Sequence, residues 1–224
     1  MKEVIKRYPV VTALAYLSAV SVGLFFVGVI FYGTTKFWFL NWNLFLAWLP
    51  LLFAWLLTKF LKHGRWLSWQ GIVLSFLWLG FLPNSFYIIS DLVHLQLASA
   101  ATALYYTVLI LSFGINGLLL GYTSLYLLHK EFEARVGKDY AAVFASIVLL
   151  LCSFAIYLGR YLRWNTWDVL VNPAGVLFDV SDRIINPAAH ELTFRITLLL
   201  FILLGSLYIV ARQFVSALRG MDHE

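Results

Sequence analysis

Charge and cysteine are what this 224-residue sequence has least of. Only 12% of its residues are Asp, Glu, Lys or Arg, where a soluble domain carries about 25%. Hydrophobic residues make up 62%, more than a soluble chain of this length can bury, so a water-soluble globular fold is excluded and lipid must be the main solvent. The single cysteine, Cys152 in LLLCSF, rules out an intrachain disulfide and a cysteine-based metal site. The net charge of +5 comes with no basic run interleaved with aromatics, which argues against nucleic acid as a partner. There is also no Gly/Ser-rich linker, no low-complexity tract and no clear internal repeat, so residues 1–224 are expected to form a single membrane domain.

What is present is a series of six apolar segments, roughly 10–32, 43–61, 68–94, 102–128, 140–162 and 192–215. Each is long enough, or nearly so, to cross the hydrocarbon core as a helix. The first follows MKEVIKRYPVV, which resembles a signal-peptide start, but its 22 apolar residues from Val10 to Phe31 fit a retained span better than a cleaved one. The fold class is therefore an all-α integral membrane protein of about six transmembrane helices. Orientation follows from the distribution of Lys and Arg. With the N-terminus inside, Lys2, Lys6, Arg7, Lys59, Lys62, Arg65, Lys130, Arg135, Lys138, Arg212 and Arg219 are cytoplasmic, against Lys36, Arg160, Arg163, Arg183 and Arg195 outside. That bias predicts a cytoplasmic-membrane protein with both termini inside.

Two stretches break the apolar pattern, and this orientation puts both on the outer side. The first is FLPNSFYIISDLVHL, residues 81–95. Pro83 cannot donate to Leu79, so the third helix is expected to kink there, with Asn84 placed to satisfy the freed carbonyl. Asn84, Tyr87, Asp91 and His94 step by three, four and three, which on a continuous α-helix forms one polar stripe opposite Phe86, Ile89, Leu92 and Val93. The second is GRYLRWNTWD, residues 159–168, with Arg160 and Arg163 at a helix end and Trp164 and Trp167 as interfacial aromatics. Snorkelling arginines and belt tryptophans account for those four but leave Asn165 and Asp168 unexplained. An ion pair between Asp91 and Arg160 or Arg163 would join the two stretches.

Between the fifth and sixth spans, NPAGVLFDVSDRII reads as a short interfacial helix capped by Asn172, with Pro173 in its first turn. Val176, Leu177, Val180 and Ile184 are its expected apolar stripe, and Asp179–Arg183 an i,i+4 pair. The last span is expected to start at Asn186 and Pro187, bringing His190, Glu191 and Arg195 to the boundary with Glu191–Arg195 as a second such pair. In the fourth span, Gly117 and Gly121 allow close helix packing, within the chain or with another copy, and Asn116 can hydrogen-bond across helices.

WLGFLPNSFYIISDLVHL at 78–95 and RWNTWD at 163–168 together resemble a family of bacterial membrane proteins, domain of unknown function 1361, whose signatures are LPNxxY…DLxHL and an RWNSWD-like run. Ser90 stands where that pattern has threonine and Thr166 where it has serine, and each keeps a hydroxyl. The resemblance runs from about the second helix to the sixth. It implies a multipass membrane protein and carries no activity or cofactor with it.

Three function classes fit these residues. One is a binding or assembly role at the outer face toward membrane lipids or a partner membrane protein, through Asn84, Tyr87, Arg160, Arg163, Trp164, Asn165 and Trp167. Another is a membrane-embedded enzyme on a lipid-linked or anionic substrate, with Asp91, His94 and Asp168 as acid/base groups, or Asp91, His94, Asp168 and His190 as hard metal ligands. The third is a small-solute transporter. It is the least favoured, because the apolar core holds no charge and Pro83 has no counterpart in the sixth helix. The least demanding of the three, the binding or assembly role, is the primary expectation.

Overall fold

A computed structural model of the chain describes residues 9–97, 99 and 101–221. Lys2, Lys6 and Arg7, counted above for orientation, lie outside the described residues, as does the side chain of Arg219. All regular structure among the described residues is helical: α1 (Pro9–Tyr32), α2 (Trp38–Phe60), α3 (Trp69–Tyr87), α4 (Ala103–Val136), α5 (Lys138–Tyr161), α6 (Pro173–Ile185) and α7 (Glu191–Met221). A 3₁₀ segment, Ile88–Leu97, continues α3, one helical turn at Asp168–Val171 precedes α6, and a short 3₁₀ turn, Pro187–His190, leads into α7. Six helical stretches are long and apolar enough to cross a membrane, and α6 is the short amphipathic element between the last two. The chain is a multi-pass membrane protein.

By contacts the chain divides into two compact units, residues 1–131 and 132–224, the division falling within α4. In the first, α3 packs along α2, and the core is built from Leu40, Leu44, Ala47 and Leu51 of α2 with Leu109, Ile110 and Phe113 of α4. Between lipid-solvated helices the hydrophobic effect is weak, so close packing and hydrogen bonds must hold the elements together. Both are seen. Gly117 of α4 faces the backbone carbonyl of Ser85, and Gly121 faces the Phe86 ring, so a methyl group at either would collide. The GxxxG face is therefore packed from within the chain by α3. Ser85 Oγ donates to the Ala47 carbonyl (3.0 Å), and Trp78 Nε1 donates to Ser124 Oγ (2.8 Å).

A third contact has no forerunner in the sequence pattern. Ser18 Oγ donates to the Leu14 carbonyl (2.9 Å) and accepts from Trp48 Nε1 (3.1 Å) and Asn116 Nδ2 (2.9 Å), which joins α1, α2 and α4 at one hydroxyl. Asn116 does hydrogen-bond across helices, as its place in an apolar span predicts.

In the second unit α5 packs on α7, Phe132 stacks on Phe144 (centroids 4.6 Å apart), and Cys152 is fully buried. Arg212 of α7 lies 3.8 Å from Glu133. Asn172 caps α6 as its sequence predicts, its Oδ1 accepting from Gly175 N at 3.1 Å. The expected apolar stripe on α6 is rearranged. Val176 and Val180 turn partly inward beside Asp179 and the buried Arg183, at i, i+3, i+4 and i+7 spacing. Leu177, Phe178, Ile184 and Ile185 form the exposed apolar face instead. The last long helix begins at Glu191, because Asn186 and Pro187 open a 3₁₀ turn first.

Candidate functional site

The residues singled out in the sequence fall in both units, and each unit is built separately. In the first, Pro83 sits inside α3 and α geometry continues to Tyr87. The Asn84 amide donates to the Phe81 carbonyl (3.1 Å), where the sequence pointed to Leu79. Asn84 and Tyr87 are both half-buried, and Ser90 Oγ donates to the Tyr87 carbonyl at 2.6 Å.

From Ile88 onward the helix is 3₁₀, so the single stripe read from 3.6-residue periodicity does not run the length of the segment. At three residues per turn, Ile88, Asp91 and His94 eclipse one another. Asp91 thereby shares the buried side with Ile88 and is 1% exposed, while Val93 faces outward. The Asp91 carboxylate receives a hydrogen bond from Asn43 Nδ2 of α2 (3.3 Å, to Oδ2), and His94 Nε2 lies 3.8 Å from Oδ1. The His94 ring packs on Phe39 with centroids 5.2 Å apart. The result is a buried carboxylate with an amide on one oxygen and a partly exposed imidazole near the other. That group can hold α2 to the 3₁₀ segment, and it can exchange a proton through the imidazole.

The second unit carries the RWNTWD turn. Arg160 is half-buried in the last turn of α5, and Leu162 closes that helix. Arg163 then takes the left-handed conformation (φ 61°), the one non-glycine residue among those described to do so. This reverses the chain and returns Trp164 N to the Leu158 carbonyl at 3.3 Å. Asn165 Nδ2 reaches the Arg163 carbonyl (3.4 Å). The Arg163 side chain is exposed and makes no hydrogen bond or ion pair among the described residues.

Asn165 and Asp168, unexplained by belt chemistry, build the turn that follows. Asp168 Oδ2 accepts from Asn165 N at 2.6 Å, while Asp168 N donates to the Asn165 carbonyl at 3.0 Å. This reciprocal pair opens the Asp168–Val171 turn in the manner of a capping box. Trp167 is exposed, and Trp164 Nε1 donates to Asp179 Oδ2 of α6 at 2.6 Å. Asp179 also takes Arg183 Nη1 on Oδ1 (3.3 Å) and on its carbonyl (2.7 Å), so the predicted i,i+4 pair is present and carries a third member.

A family model described as "Protein of unknown function (DUF1361)" matches residues 42–205. The chain belongs to that family. No curated protein and no solved structure matches it. The DUF1361 stretch takes in Asn43, the Asp91–His94 segment, the RWNTWD turn and α6 with His190.

His190 lies within that stretch, with Nε2 2.7 Å from Asp182 Oδ2. The Asn186 amide donates to the other Asp182 oxygen (2.7 Å), and these two contacts, Asn186 first, hold the Asp182 carboxyl below its ordinary value. Glu191 and Arg195 form the expected pair at 3.0 Å, both exposed. Among the described residues no group of three or more His, Cys, Asp or Glu side chains is arranged to hold a metal ion.

Sequence reasoning missed Asn43 as the partner of Asp91 and Asp179 as the partner of Trp164. Asn43 was visible only as a polar residue at the edge of an apolar segment. Nothing in one sequence relates it to a residue 48 positions away.

Proposed function

We propose that the protein spans the cytoplasmic membrane six times with both termini inside, and that its outer face binds the anionic headgroup of a membrane lipid. The observation that carries this reading is Arg163: a non-glycine residue held in the left-handed region with an exposed, uncommitted guanidinium. An L-residue there costs about 1–2 kcal/mol, which glycine would avoid. Strain of this kind persists only where the surrounding structure enforces it, and it gathers at functional sites. A guanidinium matches a phosphate with two parallel N–H donors, and exposed Trp167 in the same turn suits the headgroup layer.

The test is lipid selectivity. The purified protein in nanodiscs should be stabilised more by phosphatidylglycerol than by phosphatidylcholine, and Arg163→Gln should reduce that preference about tenfold. Inorganic phosphate at millimolar concentration should give no stabilisation, which separates a lipid headgroup from a free anion. Equal preference in Arg163→Gln and wild type would sink the reading.

A second reading, an enzyme acting on a lipid-linked or anionic substrate, is favoured by one observation only: buried Asp91 beside His94. Asp91→Asn separates the two. In the headgroup-binding reading the amide oxygen that this substitution supplies still accepts from Asn43, so fold, lipid preference and cellular phenotype persist. Loss of phenotype with an intact fold and intact lipid preference would favour catalysis.

A further inference from the structure

Arg163 is useful as a headgroup ligand only if its position relative to the lipid surface is fixed, and the turn that carries it has few residues with which to fix it. Trp164, the next residue, is tied down twice. Its indole Nε1 donates to Asp179 Oδ2 at 2.6 Å, and its ring tip lies over the first turn of α6, where a Cβ on Gly175 would come within 2.9 Å of Trp164 Cη2. Glycine at 175 is therefore what lets the ring sit there.

The same α6 has two faces with opposite destinations. Asp179 and Arg183 turn inward, whereas Leu177, Phe178, Ile184 and Ile185 are exposed, each by about two-thirds or more. In a membrane protein an exposed apolar helix face of this kind lies in the lipid interface. The depth of α6 is thus set by lipid, and Asp179 is the inward residue that grips the turn.

We infer that Asp179 is a positioning residue for Arg163: through Trp164 it locks the RWNTWD turn to the interfacial helix, so that the seat of α6 in the lipid surface sets where the guanidinium meets a lipid phosphate. This rests on the headgroup-binding reading and names the device that serves it. Asp179 has two duties, which can be separated. Its Oδ2 takes the indole N–H, and its Oδ1 and charge answer Arg183, which is 7% exposed.

Three variants use that separation, with phosphatidylglycerol-over-phosphatidylcholine preference and thermal stability both measured in nanodiscs. Trp164→Phe keeps a ring over Gly175 but loses the N–H. It should lower the preference roughly fivefold to tenfold, the size of one well-formed hydrogen bond, while lowering the melting temperature less than Asp179→Asn does. Asp179→Asn keeps an acceptor for the indole but removes the carboxylate in direct contact with buried Arg183. It should melt earlier and yet retain the lipid preference. Asp179→Ala should lose both. If stability and preference fall in parallel across the three, or if Trp164→Phe keeps the full preference while Arg163→Gln loses it, the positioning role is overturned and headgroup binding stands. If Arg163→Gln itself keeps the preference, headgroup binding fails, and this inference with it.

Discussion

Arg163 and Asp91 are both unusual residues, for opposite reasons. Asp91 is a carboxylate hidden from solvent and supplied with partners, Asn43 and His94. Arg163 is a cation left exposed on a backbone conformation that resists its side chain. The spacing of Asp91 and His94 made their meeting legible, because i and i+3 coincide in both α and 3₁₀ geometry. Asn172 as a cap and the Asp179–Arg183 and Glu191–Arg195 pairs were legible for the same reason: they are local. The contacts of Asp91 with Asn43 and of Trp164 with Asp179 span 48 and 15 positions, and no periodicity reports them. The left-handed φ at Arg163 was invisible as well, since residues at such helix ends are usually glycine or asparagine. Its strain gives a prediction at this scale: Arg163→Gly should raise the unfolding free energy by about 1 kcal/mol, because glycine adopts φ 61° without a Cβ clash.

At the scale of the element, apolar length marked the helices well, since bilayer thickness sets how long a run must be. The change from α to 3₁₀ at Ile88 was not marked, because residues three apart are neighbours in both geometries and the choice between them is settled by neighbouring packing. On α6 a four-residue apolar stripe was expected, whereas the inward face is shared by two valines and an ion pair. Hydropathy counts Val176 and Leu177 alike, but only tertiary contact decides which one faces the protein. Helix contact also gives a prediction for glycine. Gly117→Ala places a methyl against the Ser85 carbonyl and should cost about 1–3 kcal/mol. Gly23→Ala in α1 meets nothing within 4 Å and should be neutral or stabilise by about 0.5–1 kcal/mol. Thermal unfolding in one detergent compares them directly; equal effects would mean that α3 and α4 do not pack closely at Gly117.

For the whole molecule, the membrane-spanning character was legible from composition alone, and the number of spans from counting apolar runs. Which way the spans run is a matter of charge, and the excess of Lys and Arg on one side predicts a cytoplasmic His63 loop and an external Thr35 loop. Cys152 is fully buried, so single cysteines introduced elsewhere report cleanly. Thr35→Cys should react with a membrane-impermeant maleimide in intact cells, and His63→Cys only after permeabilisation. The reverse pattern would invert the orientation and move the RWNTWD turn to the cytoplasmic side.

If Arg163 trades stability for lipid recognition, Arg163→Gly exposes both halves in one experiment. Its melting temperature and that of the wild type are measured side by side in phosphatidylcholine nanodiscs and in nanodiscs containing phosphatidylglycerol. The variant is expected to melt higher than wild type in phosphatidylcholine and to gain little from phosphatidylglycerol. A variant that melts no higher, and is stabilised by phosphatidylglycerol as much as the wild type, would contradict that trade.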